Sequence, residues 1–153
     1  MRIRAHQGSS SGFTLIEILI VIGLIAILAA VVLIAVNPAR QFAQARNSQR
    51  TANINAILNA IGQNVADNKG VFLCGSGWSG ASTSIDAGAG GTGKDFSCLI
   101  PTYLSQLPVD PTAPTGVATG YFVSTDTASR FIVCAPNAAE SAIPGSGPIC
   151  VKR

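Results

Sequence analysis

The sequence predicts an α+β molecule in which a long N-terminal helix, membrane-spanning in its first half and amphipathic in its second, packs on a small antiparallel β-sheet. Three observations carry this expectation. Residues 18–36 are nineteen consecutive positions without a charged or strongly polar side chain, the length a helix needs to cross a bilayer. Residues 40–69 then place Ile54, Ile57, Leu58, Ile61 and Val65 at spacings of three and four, which is one apolar helical face. Towards the C-terminus, Gly120-Tyr121-Phe122-Val123-Ser124 and Arg130-Phe131-Ile132-Val133-Cys134 alternate on either side of a polar stretch, the signature of an antiparallel hairpin.

The first eleven residues carry Arg2, Arg4 and His6 and then the polar run Gln7-Gly8-Ser9-Ser10-Ser11, before the apolar stretch opens abruptly at Gly12-Phe13. A secretory signal peptide has a shorter apolar core followed by a small-residue cleavage site. Here the order is inverted, with the small residue in front of a longer run. A protease at the membrane face needs an uncrowded scissile position, and Gly12 has no side chain to obstruct it. Glu17 is the other unusual residue. A carboxylate in a hydrocarbon-length run costs about 2.5–3.5 kcal/mol at mid-bilayer, so it must pair, be protonated or reach the headgroups.

Gly12-Phe13-Thr14-Leu15-Ile16-Glu17 followed by the apolar run resembles the class III signal of type IV pilins and type II secretion pseudopilins. The resemblance implies a leader peptide at 1–12, cut after Gly12 by a prepilin peptidase on the cytoplasmic side, and methylation of the new N-terminal Phe13. It also implies that Glu17, fifth residue of the mature chain, pairs during assembly with the Phe13 amine of its own or a neighbouring subunit. Residues 13–36 would be the transmembrane and filament-core helix, 37–69 its amphipathic continuation and 70–153 a pilin-like globular head. The partners implied are further pilins in a helical filament, the lipid bilayer before assembly, and a membrane assembly platform with its ATPase. The implied location is the cytoplasmic (inner) membrane, then an extracellular pilus (fimbrium) or a periplasmic pseudopilus.

Read as one piece, residues 13–69 make a helix of some 57 residues, about 85 Å long. Pro38 removes one helical hydrogen bond and bends or loosens it there. Arg46 and Arg50 stand one turn apart and read as solvated or headgroup-facing charges, or as a site for a neighbour's carboxylate. Arg2 and Arg4 before the span are matched by Arg40, Arg46 and Arg50 after it, so charge alone does not orient the helix.

Four cysteines, Cys74, Cys98, Cys134 and Cys150, all follow the apolar run, as expected for two disulfides outside the cytoplasm. With 23, 35 and 15 residues between them there is no C-x-x-C pair to suggest zinc. Of three pairings, loop closure favours Cys74 with Cys98 and Cys134 with Cys150. The disulfides and the resemblance together place the N-terminus inside and the C-terminal part outside.

Residues 70–95 are rich in Gly, Ser, Ala and Thr and read as loop. Two nucleotide-binding look-alikes occur there. Gly75-Ser-Gly77-Trp-Ser-Gly80 satisfies G-x-G-x-x-G but has no strand and crossover helix around it. The run from Gly88 to Gly93-Lys94 imitates a phosphate loop, but Asp95 replaces the Ser or Thr that would hold magnesium. Residues 98–107 predict a short helical turn after Pro101, and Ile149-Cys150-Val151 a last strand. Leu107-Pro108-Val109-Asp110-Pro111, followed by an aromatic strand and a turn containing Asp126, is similar to the head of major pseudopilins. Some of those bind calcium in these loops; Asp110 and Asp126 are the carboxylates available here, a sparse set for a calcium cage.

Composition excludes most other classes. The net charge is +3, falling to eight basic against seven acidic residues once the first twelve are removed, and the cations are scattered, so no nucleic-acid partner is predicted. Lys94, Arg130, Lys152 and Arg153 are the cations available for DNA capture, and they form no groove by spacing. The only histidine is His6, so no Ser, His and acid constellation remains in the mature chain and no enzyme is expected. A single-span anchor for an outer binding domain is the remaining alternative.

Overall fold

The computed structural model describes residues 12–74, 78–88, 90–113 and 116–153. The chain divides after Pro38 into two units. The first contains α1, Leu15–Ala35, 21 residues or about 31 Å of helix, close to the thickness of a hydrocarbon core. Thr14 caps it with extended backbone, and its Oγ1 accepts the Glu17 N–H at 3.3 Å, satisfying one of the orphan donors of the first turn. No residue of α1 is buried. Its length and composition suffice to cross a membrane.

The predicted single helix over 13–69 is two helices. Val36 is extended (φ −105°, ψ 109°) and closes α1, its N–H donating to the Val32 carbonyl at 2.9 Å. The cause is local: a residue before proline is pushed out of the α region, so Asn37 cannot continue the helix. Pro38 instead opens α2, Pro38–Asp67, at a first-turn position where its missing N–H is not needed.

The second unit is α2 laid against a five-stranded sheet. In chain order the strands are β1 (Thr83–Asp86), β2 (Lys94–Asp95), β3 (Ala118–Thr125), β4 (Phe131–Ala135) and β5 (Ile149–Lys152), and their spatial order is β2-β1-β3-β4-β5. All neighbours are antiparallel except β1 and β2. The β3–β4 hairpin pairs Phe122 with Cys134 and Thr125 with Phe131, so Tyr121 and Val123 point into the core while Phe122 points out. Ile54, Ile57, Leu58 and Ile61 of α2 meet Ile85, Phe96, Leu99, Tyr121, Val123 and Val133 in one apolar cluster. Burial of this stripe drives α2 onto the sheet.

Two disulfides brace the unit. Cys74–Cys98 ties the segment after α2 to a single 3-10 turn, Ser97–Leu99, which lies before Pro101, whereas the helical turn was expected after it. Cys134–Cys150 joins directly opposed residues of β4 and β5, whose Cα atoms are 4.1 Å apart. β1 and β2 were not expected in the Gly- and Ser-rich stretch. They form because β3 offers a free edge, and a buried Asp86 organises the loop between them: its Oδ2 accepts the Gly93 N–H at 2.7 Å. A side chain at Gly91 or Gly93 would collide with Asp86 or Ser84. The phosphate-loop look-alike therefore wraps a carboxylate of its own chain, and a carboxylate repels phosphate.

Candidate processing and assembly site

Gly12, Phe13, Thr14 and Glu17 form one continuous exposed stretch leading into α1. Nothing lies within 4 Å of the position a Gly12 side chain would take, and Phe13 is 75% exposed, so the bond between them is sterically open. Glu17 is the only charged residue of α1 and sits in its first turn. There its carboxylate faces the positive end of the helix dipole, and the Thr14 cap fixes the turn that carries it. The T-x-x-E cap was not anticipated from the sequence, although the spacing is its usual signature. Residues 1–11 of the 1–12 leader, and Gly75 and Gly77 of the dinucleotide look-alike, lie outside the described residues.

A second constellation lies in the other unit, at the N-terminal part of α2. Arg50 is fully buried. Its Nε donates to Asp110 Oδ2 at 2.7 Å, its Nη2 to Thr112 Oγ1 at 2.9 Å and to Asp110 Oδ1 at 3.2 Å, and its Nη1 to Asn47 Oδ1 at 2.8 Å and to Glu140. Arg46 reaches Glu140 from one turn earlier, through Nε at 2.9 Å and through Nη2. Of the two charges read as solvated or headgroup-facing, Arg50 is thus internal, while Arg46 keeps about a third of its side chain exposed and is paired with Glu140. They join α2 to the segment before β3, through Asp110, and to the segment after β4, through Glu140. Gly120 lets β3 come close beneath this cluster: its φ is +81°, and a side chain there would lie 2.8 Å from Asp110 Cβ.

The electrostatics follow from the contacts. Burial alone would raise the Asp110 pKa, but the Arg50 guanidinium, the hydroxyl and N–H of Thr112 and the Asn137 amide outweigh it, holding the carboxyl at about 2. Hydrogen bonds from Arg46 and Arg50 hold Glu140 at about 2 as well. Asp126 is also lowered, chiefly by the backbone N–H and guanidinium of Arg130, whose Nε donates to it at 2.8 Å.

The two carboxylates considered for calcium therefore hold separate arginines on separate loops. Among the described residues no group of three or more His, Cys, Asp or Glu could hold a metal ion. Of the scattered cations, Arg130 is held by Asp126, and the Arg153 guanidinium donates to Asn55 and Asn59 of α2. The sequence signal for the buried Arg50 was its position, four residues before Ile54 and seven before Ile57, on the apolar face.

Residues 8–33 match the family model of the prokaryotic N-terminal methylation motif. Searches of curated proteins and of solved structures returned no match. The match spans the residues around Gly12-Phe13 and most of α1, so the chain carries the class III signal by which type IV pilins and pseudopilins are recognised.

Proposed function

We propose that this chain is a structural subunit of a type IV pilus, made as a prepilin, cut after Gly12, methylated at Phe13 and polymerised through α1. The observation that carries the reading is the methylation motif standing in front of a 21-residue apolar helix none of whose residues is buried by its own chain. Such a helix requires an apolar surrounding. Before assembly that is the bilayer, with the N-terminus on the cytoplasmic side of the inner membrane and the disulfide-bonded unit outside. In the filament it is the α1 helices of neighbouring copies, which replace lipid by side-chain packing.

Cleavage supplies the electrostatic half of the mechanism. Removing residues 1–12 creates an ammonium on Phe13, four residues from the Glu17 carboxylate. In an apolar filament core the two neutralise each other, and an ammonium on one copy seeks the Glu17 of the next. That pairing would set the register in which each subunit adds. The prepilin peptidase, the assembly platform and its ATPase are the partners this route requires. A type II secretion pseudopilin is the second reading, favoured by the Leu107-Pro108-Val109-Asp110-Pro111 run before the β3–β4 hairpin.

Glu17→Ala tests the charge argument. The variant should be cleaved and methylated like the parent, yet leave the sheared surface fraction depleted at least about tenfold, since loss of one desolvated pair outweighs 1.4 kcal/mol. Normal filaments from Glu17→Ala would remove the pairing from the mechanism. Appearance of parent protein in sheared extracellular material supports the pilus, and processed protein retained in the envelope supports the pseudopilus.

A further inference from the structure

Beside the aromatic end of the core lies a cleft of about 480 Å³, within the range of small-ligand sites. Phe72, Trp78 and Phe131 form its apolar wall. Trp78 stacks on Phe131 with ring centroids 5.8 Å apart, and Phe72 meets both rings edge-on, at 6.2 Å and 5.3 Å. Phe96, fully buried, backs Phe72 and Trp78. The Trp78 indole N–H donates to the Ala81 carbonyl at 2.8 Å, and Cys74 in the same lining is tied to Cys98.

The lining also includes the hydroxyl-bearing residues Ser79, Thr125 and Ser129. Thr125 Oγ1 contacts the Gly80 carbonyl at 3.4 Å, whereas the hydroxyls of Ser79 and Ser129 make no hydrogen bond to protein among the described residues. Ser129 is held at φ +58° by the Asp126 turn, in which the Asp126 carbonyl accepts the Ser129 N–H and Oδ1 accepts those of Ala128 and Arg130. None of the described residues lining the cleft is charged.

We propose that this cleft binds a neutral saccharide. Aromatic rings pack against the C–H face of a sugar ring, and hydroxyls with spare hydrogen-bonding capacity exchange bonds with its hydroxyls. The uncharged lining offers no partner to the phosphate of a nucleotide or the carboxylate of an acidic sugar. The inference goes beyond the filament reading and stands without it, because every residue it uses lies in the second unit.

Trp78 is the chain's single tryptophan, so its emission reports on the cleft alone. The test titrates the full-length protein, in a detergent without a sugar headgroup, with maltotriose, mannotriose and tri-N-acetylchitotriose. A saturable change in Trp78 emission is expected with at least one of them by about 10 mM, the range of a millimolar site. In Ser79→Ala and in Ser129→Gly, which keeps the left-handed backbone, the midpoint should rise at least about threefold for each lost hydroxyl. Neither change touches the core, so both variants report on binding and not on folding. Absence of a saturable response to all three sugars overturns the proposal, as do unchanged midpoints in both variants. A response confined to a proline-rich peptide or to trigalacturonate also overturns it.

Discussion

Arg50 shows how a charge can be both buried and structural. Its guanidinium spends its donors on Asp110, Thr112, Asn47 and Glu140, and no buried side-chain polar atom among the described residues lacks a partner. Removing one member is therefore costlier than never having built the cluster. Asp110→Ala should destabilise the second unit by about 3 kcal/mol, read from thermal or urea unfolding of the detergent-solubilised chain.

Acid should act on the same bonds. Asp110 and Glu140, both at about 2 when folded, have ordinary values of 3.8 and 4.5. The unfolded chain thus binds their protons first on acidification. Their contribution is complete above about pH 4.5 and is lost as pH falls through about 2, and Asp110→Ala should flatten that slope. At the other end of the chain the argument is steric. Gly12→Leu places a branched side chain at the open bond before Phe13, and the uncleaved precursor should then accumulate on an immunoblot of membranes. Both glycine and glutamate stood out in the sequence as departures from an otherwise uniform apolar run. Arg50 did not, because a charged residue on an apolar stripe reads as a break in the stripe until its acceptors, 60 and 90 residues away, are known.

At the level of elements, α2 was visible because its stripe has helical period, and the β3–β4 hairpin because aromatic and β-branched residues alternate across it. β1 and β2 were not visible. They are four and two residues long, mostly polar, and held by pairing of β1 with β3, of β2 with β1, and by Asp86, information that no local period contains. The break at Val36 was half visible: Pro38 announced a disturbance, while the end of α1 follows from what proline does to the residue before it. Within α2, Gly62 is an exposed interior glycine with nothing within 4 Å of where a side chain would sit. Gly62→Ala should raise the unfolding free energy by about 1 kcal/mol, because alanine restricts the unfolded chain and makes no clash. A destabilised Gly62→Ala variant in the same unfolding assay would contradict the packing described for that face.

The whole molecule is two units of opposite character. The first contains a helix without a buried residue, and the second is a disulfide-braced sheet-and-helix unit with its own core. The contrast was present in the composition, since the apolar excess is concentrated in one run. None of the α1 residues is buried, so an apolar surrounding such as lipid or other helices suits it, and the methylation motif at its start is what our proposed passage from bilayer to filament rests on. The most direct test is the intact mass and N-terminal sequence of the protein in membrane and sheared surface fractions. The account predicts a chain beginning at methylated Phe13, present in the sheared fraction and lacking residues 1–12; an uncleaved chain beginning at Met1 and confined to the membrane would contradict it.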